Sequence, residues 1–124
     1  MFNFLKKSKL NRIPELDKMS EIFNSYYILK GRRVCKVKNV LEWAEFFEKK
    51  DRLIKQETLK NGKWVSTVFL GIDHSFGEGK PLLFETMVFS KRTKGSLGDD
   101  LDQDRYFTYA EALKGHKKMV KKHG

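Results

Sequence analysis

The segment Trp64-Val65-Ser66-Thr67-Val68-Phe69-Leu70 constrains this chain more than any other stretch of it. β-branched and aromatic residues dominate it, which favours extended backbone, and apolar side chains fall at both odd and even positions. A strand of this kind needs cover on both faces and belongs at the centre of a sheet. Just upstream, Asn61-Gly62 suits the positive φ angles of a type I′ turn and predicts a hairpin with a strand over 52–59. A third apolar run, 82–89, follows the loop 73–81. Short connections between sequential strands favour antiparallel pairing, so the three form a meander.

The remaining elements follow from capping and periodicity. Tyr26-Tyr27-Ile28-Leu29 and Arg33-Val34-Cys35-Lys36-Val37 read as two short strands around Lys30-Gly31-Arg32. Asn39, with Glu42 three residues on, opens a helix to about Lys50 whose stripe is Val40, Trp43, Ala44 and Phe47. From Ser90 to Gln103 the chain turns polar and reads as a mobile loop rich in Gly and Asp, with Arg105-Tyr106-Phe107 as a short edge strand. Thr108 and Glu111 form a second capping box, opening a helix with the stripe Tyr109, Ala112, Leu113, His116, Met119 and Val120. The order of elements defines an α+β fold: an antiparallel meander sheet packed by two main helices, in a single domain over 26–124. Residues 1–25 read as a basic, amphipathic and partly helical N-terminal extension, interrupted at Pro14.

Composition bounds the function. A chain of 124 residues closes one core, and ten Phe, four Tyr and two Trp give it the apolar area to fold despite 34% charged residues. The single Cys35 excludes an internal disulfide and any Cys-rich metal site, and a reducing cytoplasm suits it. It sits where a small hydrophobe fits, without the partner a reactive thiol needs. No apolar stretch approaches a membrane span. The formal charge of +10 is concentrated at the ends. Lys6, Lys7, Lys9 and Arg12 lie in residues 1–12, and Lys114, Lys117, Lys118, Lys121 and Lys122 in residues 114–124, with no acid in either stretch. The body between is nearly neutral, so polyanion affinity is expected from the termini, with Lys117, Lys118, Lys121 and Lys122 among the contacts.

The loop from Gly71 to Pro81 carries more titratable chemistry than a connection between two apolar strands requires. Asp73 and His74 form a candidate metal-ligand or acid–base pair, with Glu78 or Glu85 as a further carboxylate. The structural alternative is that Asp73 starts the turn and His74 hydrogen-bonds the loop. Glu85 shares a strand face with Leu83 and Met87, where a carboxylate needs a partner, for which Arg105 and His116 are the candidates. His116, on an apolar stripe beside Gly115, is either a satisfied buried histidine or the residue that completes a constellation with Asp73, His74 and Glu85. The Gly77-Glu78-Gly79-Lys80 segment lacks P-loop spacing, and Asp99, Asp100, Asp102 and Asp104 lack the order of an EF-hand. No motif calls for a cofactor.

In Ser66-Thr67-Val68-Phe69-Leu70-Gly71-Ile72-Asp73-His74 and Pro81-Leu82-Leu83-Phe84-Glu85-Thr86-Met87-Val88-Phe89, the chain resembles a family of small uncharacterised proteins from phage genomes and prophages. The segments Val40-Leu41-Glu42-Trp43-Ala44, Phe47-Glu48 and Tyr106-x-Thr108-x-x-Glu111-Ala112-x-x-Gly115-His116 are similar to theirs. The resemblance implies a phage or prophage origin and a role in infection or host interaction, without an activity to transfer. The Lys-rich N-terminal extension departs from the family's compact pattern.

Three functions follow as expectations. The first is a non-enzymatic phage accessory module that binds a host or phage protein or a small ligand in the cytoplasm. The second is a metal-assisted hydrolase or nuclease using Asp73, His74, Glu85 and His116. The third is a nucleic-acid binder that grips phosphates through the basic termini with little sequence reading. Oligomeric state is left open by the sequence.

Overall fold

A computed structural model describes residues 26–49, 52–75 and 79–124. The expected N-terminal extension, with Lys6, Lys7, Lys9 and Arg12, lies outside the described residues, as does Glu78. Strands β1 (Tyr26–Lys30) and β2 (Arg33–Val37) pair as an antiparallel hairpin, followed by helix α1 (Val40–Lys49). Strands β3 (Leu53–Thr58), β4 (Trp64–Phe69), β5 (Phe84–Phe89) and β6 (Asp100–Tyr106) form a four-stranded antiparallel meander in sequence order, and helix α2 (Tyr109–His123) closes the chain. The architecture is α+β, with the meander packed by the C-terminal helix.

The apolar double-faced segment is a central strand, as its composition demands: β4 lies between β3 and β5 and is buried along nearly its whole length. Register assigns its faces. Val65, Thr67 and Phe69 pair with Val88, Thr86 and Phe84 and share the face that receives α2, while Trp64, Ser66 and Val68 pair with Phe89, Met87 and Glu85 on the other. Phe69, Leu83, Phe84 and Ala112 form the main core cluster, and Val65, Val88 and Met119 a second one farther along α2. Full burial of each large apolar side chain contributes about 2–3 kcal/mol.

Helix α1 packs against the β1–β2 hairpin, and its Phe46 and Phe47 reach Phe69 edge-on at 6.0 and 6.5 Å between centroids. Gly71 makes this docking possible. Its φ of +77° is one that L side chains rarely adopt, and a Cβ there would lie 2.0 Å from Phe47 Cζ. Its carbonyl accepts from Tyr27 N–H at 2.8 Å and from Trp43 Nε1–H at 3.1 Å, so the hairpin, the helix and the sheet meet at one peptide.

Two expectations about connections are corrected. The β3–β4 turn is a three-residue loop, not a two-residue type I′ turn: Leu59 and Lys63 close it, with Gly62 N–H donating to Leu59 O and Gly62 at φ +89°. The polar stretch after Ser90 is also shorter as a loop than its composition suggests. Strand β6 begins at Asp100, because its alternating Asp and Gln residues are tolerated on a sheet edge where only the β5 side is paired. The Thr108–Glu111 capping box is present in full, with the Thr108 hydroxyl accepting from Glu111 N–H and the Glu111 carboxylate accepting from Thr108 N–H.

Candidate functional site

The residues expected to form one constellation sit in three separate places. Asp73 lies in the loop after β4, where its Oδ1 accepts from Ser75 N–H at 2.7 Å and Leu82 N–H at 2.9 Å. Burial works against its ionisation, but these bonds and the neighbouring His74 hold its pKa below the usual carboxylate value. The carboxylate is thereby spent on pinning the loop. His74 Nδ1–H donates to Ile72 O at 2.8 Å, which fixes the orientation of a half-buried imidazole.

Glu85 is on the sheet face turned away from α2. Its Oε2 accepts from Arg105 Nε and Gln103 Nε2, each at 2.9 Å, so Arg105 is its partner and His116 is not. His116 lies across the sheet from it, fully buried beneath α2. The proposed meeting of Asp73, His74, Glu85 and His116 is therefore not made. Strand alternation is the reason: Thr86, next to Glu85, is the residue that points toward the helix. Among the described residues no group of three or more His, Cys, Asp or Glu side chains is placed to share a metal ion.

What His116 does meet is a polar chain that crosses the sheet. Its Nε2–H donates to Glu57 Oε1 at 3.0 Å, and its Nδ1 accepts from the Thr67 hydroxyl at 2.7 Å; Thr67 Oγ1 in turn lies 2.6 Å from Thr86 Oγ1. One proton order satisfies every bond, with Thr86 donating to Thr67, Thr67 to a neutral imidazole, and the imidazole to the carboxylate. Burial pushes the His116 pKa below its ordinary value despite the opposing pull of Glu57. Burial opposes ionisation of Glu57 as well, but the bonds from His116 and Lys55 outweigh it and its pKa is lowered. Carboxylate, imidazole and hydroxyl stand in the order of a hydrolytic triad, yet Thr67 is wholly buried in the middle of a sheet, where no substrate reaches it. Gly115 provides the close approach beside it: a Cβ there would lie 2.1 Å from Tyr106 Cζ.

The basic residues of α2 are arranged otherwise. Lys122 Nζ and His123 Nε2 both reach Asp102 Oδ2 at 2.8 Å, chiefly through the Lys122 bond holding the Asp102 carboxyl far below its usual range. Lys122, expected as a free cation, is thus engaged. Lys114, Lys117, Lys118 and Lys121 are all exposed at i, i+3, i+4 and i+7, on one outward face, with no carboxylate partner among the described residues. Two connections join the end of α2 at the same end of the sheet. Asn61 Nδ2–H donates to His123 O at 2.7 Å, which ties the turn carrying Lys60 and Lys63 to the last turn of the helix. Phe89 opposite Trp64 brings the β5–β6 loop, with Lys91, Arg92 and Lys94, to that end too. Sequence order hides this clustering, because the lysines of the turn and the loop belong to the stretch that is nearly neutral in total.

Comparison of the chain with protein-family models, with characterised proteins and with solved structures finds no match in any of the three.

Proposed function

We propose that this chain is a non-enzymatic binding module whose ligand is the phosphate backbone of a nucleic acid, gripped by the outward face of α2 and the loops at its C-terminal end. The observation that carries this reading is the exposed ladder Lys114, Lys117, Lys118 and Lys121, which has no carboxylate partner among the described residues. At a rise of about 1.5 Å per residue it runs roughly 10 Å along the helix, a length that meets two or three successive phosphates of a strand. Each like-charged pair at i, i+4 costs the isolated helix about 0.2–0.5 kcal/mol and returns nothing to the fold. A polyanion removes that cost. The titratable residues elsewhere support the non-enzymatic part of the reading, since Asp73, Glu85 and His116 are each committed to structural bonds.

The large exposed apolar side chains are spread over α1 (Val40, Leu41), β3 (Leu53), the β5–β6 loop (Leu97) and β6 (Leu101), which gives a protein-docking role less to stand on than the basic end. The phage origin implied by the sequence resemblance would set the module to work in the cytoplasm of an infected cell.

Salt dependence tests the reading. Affinity for a labelled oligonucleotide, followed by fluorescence anisotropy from low to moderate salt, is expected to fall steeply on a log–log plot, by about 0.7–0.9 in slope per phosphate neutralised. The variant K114Q/K117Q/K118Q/K121Q is expected to flatten that slope by roughly 2. Affinity that does not change with salt overturns the proposal.

A further inference from the structure

The β5–β6 loop is built more firmly than an exposed connection requires. Ser90 N–H donates to Asp99 O at 2.8 Å and Asp99 N–H to the Ser90 hydroxyl at 2.9 Å, while Thr93 and Ser96 exchange two backbone bonds at 2.8 and 3.0 Å nearer the tip. Gly98, at φ +69°, lets the strand side pass against Ser90, where a Cβ would lie 2.3 Å from the Ser90 hydroxyl oxygen. So held, the loop folds back over the sheet face turned away from α2 and places the Arg92 guanidinium 4.3 Å from the Trp64 ring centroid. Trp64 is itself stacked on Phe89 at 5.6 Å with 28° between the planes. Arg92 and Phe89 thus both lie against the Trp64 ring.

Beside the stack is an open cleft of about 450 Å³, lined by Trp64 and by the loop from Arg92 to Leu97. That size falls in the range of small-ligand sites. Its wall combines a planar cation, an exposed Leu97 and the Lys94 ammonium. Planar guanidinium and aromatic faces stack nucleobases, and a lysine beside them takes the adjoining phosphate.

We infer that this cleft holds an unpaired nucleobase stacked on the Arg92–Trp64 layer, so that the chain binds single-stranded nucleic acid in preference to duplex. The inference rests on the phosphate-binding reading of the basic end. A base in a duplex has both faces covered by its neighbours and cannot enter such a stack, whereas lysines alone do not tell the two forms apart.

The full chain is titrated at one salt concentration with a twelve-nucleotide oligo(dT), its RNA counterpart oligo(U), a twelve-base-pair duplex and heparin, with tryptophan emission recorded alongside anisotropy. The single strands are expected to bind about tenfold more tightly than the duplex and to quench emission, and W64F is expected to lose most of that quenching. Arg92→Lys keeps the charge and removes the plane. It is expected to bring single-strand affinity down to that of the duplex with the net charge of the protein kept. Equal affinity for single strand, duplex and heparin, or an Arg92→Lys variant that keeps the single-strand preference, overturns this inference and leaves the phosphate-binding reading standing. Failure to bind any of the four polyanions overturns both.

Discussion

The two faces of α2 treat polar groups in opposite ways. On the inward face His116 is fully buried, bonded at both ring nitrogens and held neutral, and Ala112, Gly115 and Met119 are buried beside it on the helix. On the outward face Lys114, Lys117, Lys118 and Lys121 are exposed, and no described residue answers their charge. A buried polar group left without a partner costs about 1–3 kcal/mol, so inward chemistry has to be consumed by the fold. Exposed cations carry no such requirement, and their charge stays available to a ligand. Titratable residues that look catalytic in sequence are therefore weak pointers here, and groups left unspent by the structure are stronger ones.

The contrast is broken most severely by removing the inward imidazole. His116→Ala leaves a cavity under the helix and deprives both Thr67 and Glu57 of their partner. A loss of roughly 3–4 kcal/mol in unfolding free energy is expected from urea denaturation. Thr67→Val, which keeps the shape and deletes only the hydroxyl, is expected to cost about 2 kcal/mol by stranding His116 Nδ1. For both variants, oligonucleotide affinity measured on the folded fraction should match the parent. A Thr67→Val protein as stable as the parent would mean that the chain of bonds contributes nothing.

A milder perturbation of the inward face is acid. Burial holds the folded-state pKa of His116 below its ordinary 6.5, so in the window just beneath that value the unfolded chain takes up a proton that the folded chain refuses. Stability is present in full above 6.5 and declines as pH falls through the window. Lys55 disfavours the imidazolium further, and the carboxylate of Glu57 bonded to it opposes the decline only in part. The Glu57 carboxyl, itself lowered, adds a second loss of stability as pH falls below 4.5. Thermal melts at pH 7.5 and 5.5 are expected to show a lower midpoint at 5.5, and His116→Gln to reduce the difference. A midpoint that rises on acidification would show that His116 is protonated in the folded state.

How much of this was open to sequence reasoning depends on whether the signal is local. The central place of β4, the hairpin before α1 and the Thr108–Glu111 box follow from residues adjacent in the chain, and each is present. Asp73 starting its turn and the Glu85–Arg105 pair are equally local, the second because β5 and β6 are neighbours in a meander. The partners of His116 are not: Glu57 and Thr67 lie 59 and 49 residues away, and only the register of β3 on β4 and the rotation of α2 decide that they meet. One clue was available, since Thr67 and Thr86 are hydroxyls inside largely apolar strands, and each required a partner. The basic end escaped for the same reason. Lys60, Lys63, Arg92 and Lys94 are averaged against acids elsewhere in the sequence, while the fold ties their turn to the end of α2 and brings their loop to the same end of the sheet.

The smallest effect on stability is expected at the outward face, and its sign is the informative part. Replacing Lys114, Lys117, Lys118 and Lys121 by Gln removes like-charged neighbours at i, i+3 and i+4 without touching a hydrogen bond or a buried atom. Gln is about as good a helix former as Lys, so propensity is nearly constant. Against this gain, Lys121 loses its favourable position in the last turn, where the helix dipole welcomes a cation at about 0.3–1 kcal/mol. The sum is a change within about 0.5 kcal/mol of zero at low salt, shrinking further as salt screens the repulsion. A fall of 2 kcal/mol or more in denaturant titration would mean that the lysines hold the fold together, and the distinction between the two faces of α2 would fail. Near-constant stability with lost oligonucleotide affinity would leave binding as the role of the outward face.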